Sequence, residues 1–203
     1  MKSKRQEIFA KIPKHVEVCV VTKGRTLKEV QELLAEIPEI SMIGENRWPD
    51  CEEKFKKLPL EKHFIGRLQS NKLNKILPLV DVIQSVDSFE LLQKISQRAQ
   101  KTIKYTFQVN ISNDPAKQGI LPKDLRSIIE KSRDIPNIEL IGLMTIGEQH
   151  NQEEYFTEFK KLFDQLNSEG IKMKVLSMGT SDDFEIAIRC GATMVRIGKT
   201  IFS

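Results

Sequence analysis

VLSMGTSDDFEIAIRCGATMVRIGKTIF, residues 175–202, reads as two short apolar runs around one amphipathic run. Val175–Ser177 and Met194–Ile197 are each too short for a helix and suit buried strands. Asp182–Arg189 between them has helical spacing and stops at Gly191, just after Cys190, where glycine commonly ends a helix. A strand, a helix and a second strand in this order imply a crossover between parallel strands. This unit sets the reading of the rest of the chain.

Working back towards the N-terminus, the same pattern recurs. Apolar runs occur at Val16–Val21, Ile40–Ile43, His63–Ile65, Val82–Val86, Thr106–Ile111 and Ile138–Met144. Helical patterns separate several of them. Leu27–Ile37 carries Leu27, Val30, Leu33, Leu34 and Ile37 on one face. Ser88–Gln100 opens on a good N-cap, and Pro122–Ser132 on a first-turn proline. Tyr155–Leu166 has a broad apolar face. Eight strands, each followed by a helix or turn, give the α/β class and predict a single (β/α)8 TIM-type barrel over 1–203. The length of 203 residues is near that fold's lower limit. An open doubly wound sheet is the alternative, but no GxGxxG follows the first strand and no P-loop motif occurs.

Composition narrows the function classes. No apolar run approaches the ~20 residues of a membrane helix. The first residues, MKSKRQEIFAKIPKH, lack the apolar core of a signal peptide. Cys19, Cys51 and Cys190 form no CxxC pair and no zinc spacing, which suits reduced thiols and a cytoplasmic location. The net charge of +4 comes from 32 basic and 28 acidic residues interspersed along the chain. Solvated helix faces, not a nucleic-acid stripe, explain that mixture.

In a barrel, chemistry sits where strands end and the following loops begin. Those positions hold Lys23, Asn46, His63, Gly66, Asn110, Met144, Ser177, Ser181, Arg196, Gly198 and Thr200. Lys23 follows an apolar strand, so it is expected at the mouth. Burial there would favour its neutral, nucleophilic form, whereas a lysine that snorkels to water would be inert. Arg196 lies between Val195 and Ile197 and needs a partner, either a strand carboxylate or a polar ligand atom. Few acids lie in the strands, which favours the ligand. Gly179, Thr180 and Ser181 open the last helix and form a candidate phosphate cradle, unless Ser181 is only its cap. Gly198 would let backbone approach a ligand. His63 has no second His or Cys at ligand spacing and reads as a hydrogen-bonded structural residue. Met144 by itself reads as core filler. Cys19 shares the face of Lys23 but lies about 13 Å away at ~3.3 Å per residue.

The motifs VVTKG, IGEN, HFIGRLQSNK, GLMTIG, LSMGTSDD and VRIGKTIF follow one another in order. Together they resemble the pyridoxal phosphate homeostasis protein family, which is similar to the N-terminal barrel of alanine racemase. The resemblance runs from about Val16 to Phe202. It implies that Lys23 holds pyridoxal 5'-phosphate (PLP) as a Schiff base. It further implies that Ser181 and the backbone at Gly198 and Lys199 hold the phosphate, with Thr200 nearby. Arg196 would face the pyridine nitrogen, Asn46 and Met144 would line the ring, and Ser177 is a secondary candidate. Two departures stand out. The segment before Val16 leaves room for at most a truncated N-terminal helix, and Lys62 stands where relatives usually carry an aromatic residue. A carrier or homeostasis protein that hands PLP to apo-enzymes as a monomer is expected, with no catalytic residue or metal. The alternative, a small amino-acid racemase, needs a second base. Tyr105 and Tyr155 are poorly placed to be one, and no second domain is expected to supply it. A sugar-phosphate enzyme would share the cradle but not need Arg196 opposite a lysine.

Overall fold

The computed structural model describes residues 3–148 and 150–202. Eight parallel strands form a closed barrel in chain order: β1 (Glu17–Val21), β2 (Met42–Glu45), β3 (Glu61–Phe64), β4 (Val82–Val86), β5 (Ile103–Gln108), β6 (Ile138–Met144), β7 (Val175–Thr180) and β8 (Met194–Ile197). Closure is made by β8 against β1, where Cys19 pairs with Arg196 and Val20 with Ile197. The architecture is the expected (β/α)8 barrel, and the open sheet is excluded by that last pairing.

Alternation along each strand divides the core. Val20, Ile43, Phe64, Ile83, Leu143, Leu176, Val195 and Ile197 belong to the main cluster packed against the helices. Cys19, Met42 and Met194 form a small separate cluster. The other buried strand side chains include the polar His63, Gln84, Thr106, Ser177 and Arg196. An all-apolar filling would have been the simpler solution for a barrel interior.

The helices are α1 (Lys4–Ala10), α2 (Leu27–Glu36), α3 (Cys51–Lys57), α4 (Leu73–Ile76), α5 (Phe89–Arg98), α6 (Pro122–Ser132), α7 (Gln152–Ser168) and α8 (Phe184–Arg189). The N-terminal helix is therefore present but only seven residues long, started by a capping box between Ser3 and Gln6. Helices α3 and α4 carry too few turns for their periodicity to be read from sequence. The fifth strand begins at Ile103 and ends before Val109, which instead bridges to Ile120 in the following loop. The third begins earlier, at Glu61, whose charge hides it in an apolar search; Lys104 lies 3.5 Å from its carboxylate. No helix among the described residues is long and apolar enough to cross a membrane. The three cysteines are free.

Candidate functional site

A cavity of about 480 Å³ opens at the C-terminal ends of β1, β7 and β8. Its lining includes Lys23, Arg25, Ser181, Asp182, Arg196, Gly198 and Lys199. Five of the nine residues that the resemblance implies for the cofactor, Lys23, Ser181, Arg196, Gly198 and Lys199, thus meet in one place. A larger cleft of about 940 Å³ lies at the opposite end, beside α1 and α2. Barrel chemistry belongs to the strand C-termini, so the smaller cavity is the candidate.

Lys23 stands two residues beyond β1, in a turn that Gly24 makes at φ +70°. The side chain is solvent-exposed. The burial on which the sequence argument relied is absent, because the strand stops at Val21 and the chain turns outward. The turn itself is held firmly from behind. Lys54 Nζ donates to the carbonyls of Thr22 (2.8 Å) and Arg25 (3.1 Å) and pairs with the Glu45 carboxylate. Thr22 Oγ1 donates to Glu45 Oε1 at 2.6 Å. Lys54 and Glu45 are 4% and 0% exposed, a fully buried ion pair beneath the lysine-bearing turn.

Ser181 is not the cap of α8. That helix starts at Phe184, and the Asp183 carboxylate turns back to accept from Thr180 N (2.5 Å) and Thr180 Oγ1 (2.9 Å). The backbone N–H groups of Gly198 and Thr200 instead converge on Ser181 Oγ, at 3.1 and 3.4 Å. This cluster of donors suits an anionic oxygen. At Gly198 a Cβ would meet Val21 O at 2.7 Å, so a side chain there would push β8 and β1 apart. The cavity lining holds four cations, Lys23, Arg25, Arg196 and Lys199, against one carboxylate, Asp182. Lys199 lies 3.8 Å from Asp182 in an exposed pair, while Arg25 stacks over Phe202 at 5.1 Å.

Arg196 is buried at 5% exposure. It has no carboxylate partner among the described ion pairs. NH1 donates to Ser177 Oγ and NH2 to the Thr145 carbonyl, each at 2.7 Å. Burial lowers its pKa, but a guanidinium stays charged at neutral pH. The result is a fixed cation bordering the cavity. Tyr155 supports it indirectly: its hydroxyl lies 2.7 Å from Thr145 Oγ1 and donates to the Ile146 carbonyl at 3.1 Å.

The other candidates lie elsewhere. Ser177 is fully buried behind Arg196. Met144 is buried at the end of β6, paired with Ser177. Asn46 lines a neighbouring cleft with Arg47, Trp48 and Gly66, and its Oδ1 is buried without a hydrogen-bond partner. Thr200 touches the site through its backbone. His63 is the buried, hydrogen-bonded residue expected, with Nδ1 2.7 Å from Gln84 Nε2. Sequence reasoning missed Arg25, Gln84, Glu45 and Lys54. The only signal for the last two was a charge at a strand end and a lysine beside phenylalanine.

The alanine racemase N-terminal domain family matches residues 5–203. A pyridoxal phosphate homeostasis protein of Aquifex aeolicus is 38% identical over 174 residues, covering 80% of this chain and 76% of that protein. That of Pasteurella multocida is 33% identical over 201 residues, covering 92% and 85%. PipY of Synechococcus elongatus, solved with PLP bound, superposes with a TM-score of 0.88 at 26% identity over 98% of each chain. Alanine racemase of Clostridium difficile shares the fold, with a TM-score of 0.79 at 18% identity over 98% of this chain and 55% of the enzyme. By these matches, and by the barrel whose mouth gathers Lys23, Ser181, Arg196 and Gly198, the chain belongs to the pyridoxal phosphate homeostasis family, built on the alanine racemase N-terminal barrel.

Proposed function

We propose that this protein binds PLP at the barrel mouth and serves PLP homeostasis as a carrier. The observation that carries the reading is the meeting of an unpaired amine, converging N–H donors and a buried cation in one cavity. Those residues fit the cofactor. Lys23 Nζ has no hydrogen bond or ion pair among the described residues, so it is available for a covalent linkage. The N–H groups of Gly198 and Thr200, with the Ser181 hydroxyl, fit a phosphate, and the excess of cations in the lining favours a dianion. When bound, PLP supplies an aldehyde that condenses with amines and a ring that withdraws electrons. Arg196 would sit on the pyridine-nitrogen side, where a permanent cation disfavours ring protonation and weakens that withdrawal. Asn46 and Met144 are proposed to bound the ring.

Carriage is favoured over racemisation by the same geometry. A racemase needs a second base opposite the lysine. Tyr105 donates to Ser132 Oγ at 3.3 Å and is buried. The Tyr155 hydroxyl is engaged at Thr145 and Ile146. Neither tyrosine lines the mouth cavity. We further propose one PLP-binding domain over 1–203, a cytoplasmic monomer, and PLP-dependent apo-enzymes as recipients. The free thiols support the location.

Two measurements test this. Borohydride reduction of PLP-loaded protein, then peptide mass mapping, should place the adduct on Lys23; an adduct confined to another lysine overturns the site. Incubating L- and D-alanine in deuterated water with the loaded protein should give slow deuteration at most, with configuration retained. Rapid interconversion of the enantiomers overturns carriage.

A further inference from the structure

We propose that Gln84, backed by His63, is a positioning residue that sets Arg196 from across the barrel; this inference rests on the reading of the mouth as a PLP site. A buried cation is usually fixed by an opposite charge. Arg196 is fixed by two neutral acceptors instead. One, the Thr145 carbonyl, belongs to the backbone. The other, Ser177 Oγ, donates its own proton to Gln84 Oε1 at 2.7 Å.

The orientation of the Gln84 amide follows from its remaining partners. Met194 Sδ, which can only accept, lies 3.2 Å from its nitrogen and Ser177 Oγ donates to its oxygen, so the nitrogen's other hydrogen points at His63 Nδ1, 2.7 Å away. The opposite amide orientation would leave the Ser177 hydroxyl without this acceptor. Every bond in the chain therefore points one way, from Arg196 to Ser177 to Gln84 to His63. His63 must accept at Nδ1 and carry its proton on Nε2. That nitrogen has no hydrogen-bond partner and lies 3.9 Å from the Glu61 carboxylate.

Four strands contribute one residue each: β3, β4, β7 and β8. Gln84 lies 93 residues from Ser177 and 110 from Met194, so its side chain ties opposite walls of the barrel. Thr106 Oγ1 holds the Gln84 backbone carbonyl at 2.8 Å. Without the acceptor at Gln84, the Ser177 hydroxyl can turn its proton towards Arg196, and one of the two anchors of Arg196 weakens. Gln84 would thus control the cation beside the cofactor without touching the cofactor.

The test compares full-length wild type with Gln84→Met, Gln84→Glu and Ser177→Ala. Methionine keeps the length but offers no amide acceptor. Glutamate still accepts from Ser177 and obliges His63 to become a donor at Nδ1. Three readouts are taken: PLP affinity, the absorbance band of bound PLP, and the ¹⁵N shifts of the His63 ring without ligand. Gln84→Met and Ser177→Ala should each weaken PLP binding about three- to tenfold and shift the band. The Gln84→Met/Ser177→Ala double variant should be no worse than the weaker single one. Gln84→Glu should hold PLP within about twofold of wild type, with His63 Nδ1 newly protonated. A space-filling role predicts the reverse order, since a buried carboxylate disturbs a core more than methionine does. Unchanged affinity and band in Gln84→Met, or additive losses in the double variant, overturn the proposal. Should Gln84→Met not fold, Ser177→Ala tests the same link by the same criteria. Should wild type bind no PLP, the reading of the mouth fails. The His63 ring then decides the chain alone: a protonated Nδ1 in ligand-free wild type overturns it, and an Nε2–H tautomer upholds it.

Discussion

Replacing Lys54 by methionine should destabilise this protein far more than any surface charge would. All three protons of the Lys54 ammonium are used, by Glu45 and by the carbonyls of Thr22 and Arg25. Methionine fills a similar volume but leaves the Glu45 carboxylate buried without its counter-ion, the Arg25 carbonyl without that donor, and the Thr22 carbonyl with only the Arg25 N–H. Thr22 Oγ1 would be the carboxylate's remaining hydrogen-bond donor, and Oε2 has none. Stranding one member of a buried pair costs about 3–5 kcal/mol. With a urea slope of about 3 kcal/mol/M, the midpoint should fall by about 1–1.7 M. Urea unfolding followed by circular dichroism measures this directly. Adding Glu45→Gln should recover most of the loss, because the orphaned charge is removed and Thr22 keeps an acceptor. The single variant should also bind PLP more weakly, since the turn that presents Lys23 loses its support. A loss below about 1 kcal/mol, the range of exposed pairs, would refute the reasoning. A double variant no more stable than the single one would refute it too.

Ser181→Ala should weaken PLP binding about ten- to a hundredfold, the effect of losing about 1.5–3 kcal/mol at a charged group; an unchanged dissociation constant in equilibrium titration would remove Ser181 from the phosphate site. Ellman's reagent should find one reactive thiol in the folded protein, the half-buried Cys190, and three after denaturation. Burial pushes Cys19 up to about 12 and Cys51 to about 11, and fast reaction of either in the native state would contradict their enclosure. Burial likewise raises Tyr105 to about 12. These groups hold their protons more tightly folded than unfolded, so their contribution is complete below pH 9 or so and is lost as pH rises through the shifted values. The urea midpoint should therefore fall between about pH 9 and pH 11, and a flat midpoint across that window would count against the burial of these groups.

The sequence alone determined the class of the fold and most of its mouth. Apolar runs of strand length alternating with amphipathic stretches are local signals, because a strand buried on both faces draws mostly apolar residues. Val82–Val86, Ile138–Met144 and Met194–Ile197 were legible to the residue. A barrel also places function at strand ends, so Lys23, Ser181, Arg196 and Gly198 could be picked out from their positions. The shared motifs then added the expected ligand. What strand position could not decide was the surroundings of each residue. Lys23 is exposed rather than buried, because the turn at Gly24, not the strand, sets its direction. Ser181 receives two N–H groups from the β8 loop, not from the helix that follows it in sequence. The Glu45–Lys54 pair depends on α3 folding back over the paired ends of β1 and β2, and the Arg196–Ser177–Gln84–His63 chain on closure of the barrel. Residues 93 and 110 positions apart become hydrogen-bonded neighbours only when β8 meets β1 and the side chains cross a shared interior. Periodicity reports which face of an element is buried, whereas the partner met on that face is fixed only by how the eight strands come together.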